Sequence, residues 1–235
     1  MNIVITGASK GLGKSIAEQF AGDKQGHNVL LCARNESALN NTWKELQGRF
    51  PRSGIKVLAC DLSKKDEIKR FVHWIDSEVD SVDILINNAG QFIPGSVHNE
   101  PDGALEQMIE VNLYSAYHLT RMIVPGMMKR KKGHVFNMCS IAALKAYENG
   151  GAYSISKFAL FGFTKNLREE MKPHHIKVTA VIPGAAYTDS WAGSGIDPNR
   201  IMEAGDISKM IYTAAFLSPQ ACVEEIIMRP VLGDL

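Results

Sequence analysis

The sequence carries almost no net charge: 26 lysines and arginines against 25 acids leave +1 over 235 residues. Without an excess of either sign there is no electrostatic footprint for nucleic acid or for an anionic membrane surface. No apolar run approaches the roughly 18 residues of a membrane span, and a strand-like pattern starting at Asn2 leaves no room for a signal peptide. A cytoplasmic protein with no membrane and no nucleic-acid partner is the expectation. Cysteine is scarce and unpaired in pattern: Cys32, Cys60, Cys139 and Cys222 form no CxxC, and three of the four lie in apolar runs. They read as reduced residues. His174 and His175, just after Pro173, read as turn residues, so no metal site is expected.

What the sequence does have is rhythm. Short apolar or β-branched runs at residues 2–6, 27–33, 55–60, 82–87, 133–139, 176–182 and 223–229 alternate with amphipathic stretches near 12–22, 36–49, 64–79, 102–130, 152–172 and 206–217. Each amphipathic stretch is long enough for a crossover. Repeated strand, helix, strand units imply an α/β fold, a Rossmann-like doubly wound parallel sheet of about seven strands with helices on both faces. One domain over residues 1–235 is sufficient for a chain of this length that is 45% hydrophobic. The least regular stretch, residues 184–203, follows a strand directly, at the sheet edge where ligands sit. It is expected to be a substrate lid.

The first strand runs into Thr6-Gly-Ala-Ser-Lys-Gly-Leu-Gly13 and then a helix. Gly7 suits the tight turn, and Gly11 and Gly13 remove side chains where backbone would approach a pyrophosphate at the positive helix end. Ser9, Lys10 and Leu12 complete the loop. The spacing GxxxGxG departs from the dinucleotide fingerprint GxGxxG, and Gly13-Lys14-Ser15 imitates the end of a nucleoside-triphosphate loop. That second motif needs a glycine five residues before Gly13, where this chain has Ala8. A kinase or ATPase is thereby disfavoured. The second strand ends Leu31-Cys-Ala-Arg-Asn35, with no acid at the place where an NAD enzyme usually meets the ribose 2′-hydroxyl. Arg34, with Lys10 on the same side, can meet a 2′-phosphate instead, so NADP(H) is the expected cofactor. Asp61 and Leu62 close the third strand, and Asp61 can accept from an adenine amino group or cap the next helix, for which Ser63 is the better placed residue.

Tyr153 and Lys157 stand four residues apart, which one helical turn brings onto one face. An ammonium there can stabilise a phenolate and bring a tyrosine of ordinary pKa, about 10, toward neutrality. Ser140 lies thirteen positions before Tyr153, at the end of a strand. Together with the glycine loop, Asp61, Asn87-Asn-Ala-Gly90, Asn112 and Pro183-Gly184 followed by Thr188, these residues resemble the short-chain dehydrogenase/reductase family in its single-domain form, over nearly the whole chain. The resemblance implies Tyr153 as general acid in carbonyl reduction, Ser140 holding the substrate oxygen and Lys157 on the nicotinamide ribose, tuning the tyrosine. It implies that Asn112 kinks its helix and holds a proton-relaying water. Asn87, Asn88, Ala89 and Gly90 would line the adenosine and steady the central strand, and Pro183, Gly184, Ala186 and Thr188 would surround the carboxamide. Cys139 and Ala186 replace a serine and a valine usual in the family without removing a needed functional group. Helix pairing in the family implies a homodimer or homotetramer, here through Leu113, Tyr117, Phe158, Phe161 and Phe163.

The pocket expected for the substrate draws on Ile141, Ala142, Tyr147, Ala185, Tyr187, Trp191 and Met202, a mostly apolar group without an arginine or lysine placed for a carboxylate. A small or medium carbonyl compound suits it. The final residues, 224–235, resemble the sepiapterin-reductase-like and hydroxy-acid dehydrogenase branches more than the 3-oxoacyl carrier-protein reductases. NADPH-dependent reduction of a ketone or aldehyde is the leading expectation. The alternatives are a non-catalytic NADP-binding sensor or regulator of the same fold, and an NAD-dependent alcohol dehydrogenase.

Overall fold

The computed structural model describes residues 1–188 and 195–234. Along them the chain runs β1 (Asn2–Thr6), α1 (Gly11–Ala21), β2 (Asn28–Ala33), α2 (Glu36–Arg49), β3 (Gly54–Ala59), α3 (Lys65–Glu78), β4 (Ile84–Asn87), α4 (Ala104–Ile109), α5 (Ser115–Arg130), β5 (Gly133–Met138), α6 (Gly151–Met171), β6 (Ile176–Pro183), β7 (Ala186–Tyr187), β8 (Met202–Glu203), α7 (Ala204–Ala215) and β9 (Glu225–Met228). Seven of the strands form one all-parallel sheet in the order β3-β2-β1-β4-β5-β6-β9. The order reverses between β1 and β4. In a doubly wound sheet that switch point is where a crevice opens at the carboxyl ends of the strands.

Alternation along the strands sorts side chains into two cores. Ile3 and Ile5 of β1 and Val29 and Leu31 of β2 pack with Ile16 and Phe20 of α1 and Ile207 and Ile211 of α7. Val4, Leu30 and Cys32 point the other way, against Phe71 and Ile75 of α3 and Leu119 and Met127 of α5. Both faces of the sheet are therefore covered, which is why these strands read as nearly continuous apolar runs. Cys32, Cys60 and Cys139 are buried free thiols and Cys222 is exposed.

Three local features differ from the sequence reading. The single helix that periodicity suggested over 102–130 is broken into α4, a π-helical turn at Glu110–Tyr114 that contains Asn112, where the resemblance had implied a kink, and α5. Ser63 does not cap α3: its backbone N–H and hydroxyl both donate to Asp61 Oδ1, at 3.1 and 2.8 Å, and α3 begins two residues later without a side-chain cap. Among the residues expected at a helix-pairing face, Phe161 is buried in this chain's own core and Tyr117 meets Phe163 edge-on at 5.4 Å. Phe158 stays exposed.

Candidate active site

The carboxyl ends of β1, β4, β5 and β6 open onto a single cleft of about 750 Å³. The glycine loop lies along one side, and much of its composition is dictated by packing within the chain. Gly7 has φ +66, and a Cβ there would sit 2.9 Å from Ala89 Cα; a Cβ on Gly13 would sit 2.3 Å from the Gly7 carbonyl oxygen. Side chains at these two positions are excluded by the loop itself and by Asn88, whose amide donates to the carbonyls of Thr6 (2.8 Å) and Gly7 (3.1 Å). Gly11 faces Thr188, with ordinary contact at 3.5 Å, and is the loop glycine left open toward the cleft. The sequence reading gave both Gly11 and Gly13 the role of admitting backbone to a pyrophosphate; at Gly13 the missing side chain also makes room for the chain's own backbone.

Lys10 precedes α1 and provides no side-chain cap. The first-turn N–H groups of α1 are therefore available to an anion, at the positive end of a helix. Ser9 uses its carbonyl to hold Thr42 Oγ1 at 2.8 Å, which ties the loop to α2. Lys10 and Arg34 are both exposed, and among the described residues neither has an ion-pair partner. Leu62 and Ala89 direct their side chains into the core below, so only their backbones can meet a ligand. Asn87 also turns inward, its amide donating to Thr120 Oγ1 (2.9 Å) and Asn137 Oδ1 (2.8 Å).

Across the cleft, α6 presents Tyr153 and Lys157. The helix start is fixed by Glu100, whose Oε2 accepts from the Ala152 N–H at 3.0 Å, an acidic cap one residue before the tyrosine. Lys157 is 5% exposed and donates to the Met138 carbonyl at 2.8 Å, with its nitrogen 5.7 Å from the centre of the Tyr153 ring. Burial brings its pKa down to about 8, slightly opposed by the nearby Cys139. Burial raises the Tyr153 pKa, and the hydrogen bond with the Ser140 hydroxyl pulls it back. In the protein alone, then, desolvation dominates the phenol. Ser140 also accepts from the Ala142 N–H at 3.2 Å, capping a 3₁₀ turn at Ile141–Ala143. That cap orients the hydroxyl toward the cleft wall that Tyr153 shares.

Asn112 sits in the π-turn with its amide fully engaged: Oδ1 accepts from Gln91 N–H at 2.7 Å, and Nδ2 donates to Gln91 O at 3.0 Å and Ser156 Oγ at 2.8 Å. It clamps the segment after Gly90 to α6. Pro183, Gly184, Ala186 and Thr188 form the wall beyond β6, where the Gly184 N–H donates to Met228 O at 2.8 Å. Of the residues expected to contact substrate, Ile141, Tyr147 and Ala185 line the cleft. Ala142 is buried and Met202 packs on the core under α7, so neither does; Trp191 lies outside the described residues.

The cleft also gathers residues that the sequence reading missed. Phe92 meets the Tyr153 ring edge-on at 5.0 Å, and Gln91, Lys145, Arg229 and Asp234 complete the lining. A signal for Arg229 existed: it follows the last sheet strand at its carboxyl end, the ligand edge of the fold.

The profile of the short chain dehydrogenase family matches residues 1–198. Curated relatives include uncharacterized oxidoreductases of Staphylococcus epidermidis and Staphylococcus saprophyticus, 27% and 29% identical over 228 residues, with 97% of this chain and 96% of each relative covered. Among solved structures, the closed form of a serine dehydrogenase complexed with NADP+ superposes with a TM-score of 0.89 at 26% identity, over 100% of this chain and 97% of that one. A metagenomic short-chain oxidoreductase in complex with NADP gives a TM-score of 0.83 at 30% identity, over 98% and 97% of the two chains.

Proposed function

The chain belongs to the short-chain dehydrogenase family of oxidoreductases, and from that premise we propose that it is an NADPH-dependent reductase of ketones or aldehydes with Tyr153 as its general acid. The observation that carries this reading is the meeting of Tyr153, Ser140 and Lys157 in the same cleft as an uncapped α1 N-terminus. That helix end, with Gly11 and Leu12, would hold the cofactor pyrophosphate. Lys10 and Arg34 would hold the 2′-phosphate, which their exposure and lack of an acidic partner among the described residues support. Two relatives of similar fold are named as complexes with NADP+ or NADP, which supports the same choice.

When bound, the cofactor supplies the hydride. The work of this chain is to place and neutralise the carbonyl oxygen. Ser140 donates a hydrogen bond to that oxygen, and Tyr153 gives up its phenolic proton to the developing alkoxide. A raised Tyr153 pKa keeps the phenol protonated at neutral pH, as an acid must be. Lys157, held by the Met138 carbonyl beside Gly90, is in position for a ribose hydroxyl and for stabilising the phenolate once formed. The segment 184–203 would close over the bound substrate as a lid. Tyr114, Met122, Ile155 and Phe158 are exposed on α5, α6 and the turn before α5, which supports association as a homodimer or homotetramer.

Cofactor choice is tested by titrating NADPH and NADH into wild type and Arg34→Ala. The reading predicts tighter NADPH binding and a roughly tenfold or greater loss for NADPH alone in the variant, the scale of one charge-assisted contact. Equal losses for both cofactors would contradict a 2′-phosphate role and favour the NAD-dependent alternative.

A further inference from the structure

Arg229 and Asp234 stand in the wall of the same cleft as Tyr153 and Ser140. The chain after β9 folds back over the Pro183-Gly184 turn: a Cβ on Gly184 would sit 3.1 Å from Asp234 Oδ1 and 3.2 Å from Pro230 Cδ, and the Gly233 N–H donates to Pro230 O at 2.9 Å. Arg200, at the end of the described lid segment, fastens this strap by donating to the carbonyls of Leu232 (3.4 Å), Gly233 (3.0 Å) and Asp234 (3.2 Å). Asp234 in turn accepts from Arg229 Nη1 at 2.6 Å.

A half-exposed guanidinium is thus held by one of its nitrogens. Asp234 takes Nη1, and among the described residues Nε and Nη2 have no hydrogen-bond partner, which leaves that edge of the guanidinium toward a ligand. The charge of the cleft points to that ligand's sign. Its described lining contains Lys145, Lys157 and Arg229 against a single carboxylate, Asp234, on walls that are otherwise largely apolar and aromatic. Lys157 is buried and occupied with Met138 O, while Arg229 is 42% exposed at its side chain and turned to the cleft.

We infer that Arg229 is a specificity-determining residue that binds a carboxylate on the substrate, with Asp234 as the positioning residue that fixes its guanidinium. The substrate class is then an oxo acid, reduced to the hydroxy acid. This rests on the reductase reading above and deepens it. The carboxylate would take Nε and Nη2 as a two-point fork, a geometry that arginine provides and lysine does not. An apolar spacer between carboxylate and carbonyl fits the Phe92, Ile141 and Tyr147 walls.

The test is NADPH oxidation with straight-chain oxo acids of four to six carbons, each compared with its methyl ester, for wild type, Arg229→Met and Arg229→Lys. The acids are expected to be preferred by wild type. Arg229→Met should cut kcat/KM for the acids roughly 10- to 100-fold, mainly through KM, while esters stay within about twofold; Arg229→Lys should recover only part of the loss. Equal losses on acid and ester would make Arg229 a strut for the strap and overturn the inference, as would ester turnover without any preference for acids. No turnover of either series would overturn the inference while leaving the reductase reading to be decided by simple ketones and aldehydes, whose turnover keeps it and whose failure as well would overturn it.

Discussion

At the scale of single residues, Lys157 is the clearest case of function set against stability. Its folded pKa of about 8 lies below the ordinary lysine value of 10.5 because burial disfavours the charged form. Below pH 8 both folded and unfolded chains carry the proton, and the full burial cost is present. Between about 8 and 10.5 the unfolded chain binds a proton that the folded chain has released, so this residue's contribution to stability rises with pH. Replacing Lys157 by Met removes the charge at neutral pH. The hydrogen bond to Met138 O is lost, but the net expectation is a gain of about 1–3 kcal/mol in the cofactor-free protein, with turnover abolished and NADPH binding weakened. Thermal unfolding with a parallel NADPH titration checks it. A lower Tm would show that the Met138 bond outweighs the buried charge.

At the scale of elements, the edge from β5 through β6 to the segment before β9 carries a pH-sensitive joint. His134 of β5 is buried, stacked on Phe136 at 3.8 Å, and its Nε2 lies 2.7 Å from Thr179 Oγ1 of β6. Thr179 Oγ1 donates onward to Val223 O at 2.6 Å, so its oxygen accepts from a protonated Nε2, and Nδ1 is left without a partner. Burial brings the His134 pKa down to about 3. Since the folded value is depressed from 6.5, stability is fully present above pH 6.5 and drains as pH falls toward 3. From this residue, urea unfolding should give about 2 kcal/mol less stability at pH 5 than at pH 7. His134→Leu should lack that part of the slope, and an unchanged slope in the variant would contradict the assignment. The main strands and helices were legible in the sequence because each is written locally, as an apolar run or a helical period. The π-turn around Asn112 was legible only through the family resemblance, as a kink, since one extra residue per turn leaves the apolar pattern of 102–130 nearly intact. The paired two-residue strands β7 and β8 are too short to show a period. Arg229 and Asp234 escaped because their place in the cleft depends on a fold-back fastened by Arg200, about 30 residues earlier in the chain. The glycine loop, by contrast, was readable as a loop but only partly explained, because Gly13 also answers to the Gly7 carbonyl, a packing demand that spacing does not reveal.

At the scale of the whole molecule, the sheet brings together groups that the sequence keeps far apart. The reversal of strand order between β1 and β4 opens the crevice, α1 brings its uncapped start to one side, and β5 and α6 bring Ser140 and Tyr153 to the other. Its third wall comes from β6 and the strap after β9, to which Arg200 is anchored. In the proposed reading an acid at one wall faces a cofactor at the other, an arrangement that a regulator of the same fold would not need to keep intact. The central claim is therefore tested most directly by NADPH oxidation over ketones, aldehydes, oxo acids, oxoacyl thioesters and pterins, measured for wild type and Tyr153→Phe, with NADPH affinity titrated for both. The account predicts turnover by wild type, and a kcat about a hundredfold or more lower in Tyr153→Phe at nearly unchanged NADPH affinity. Tight NADPH binding with no turnover of any compound, or full turnover retained by Tyr153→Phe, would contradict it.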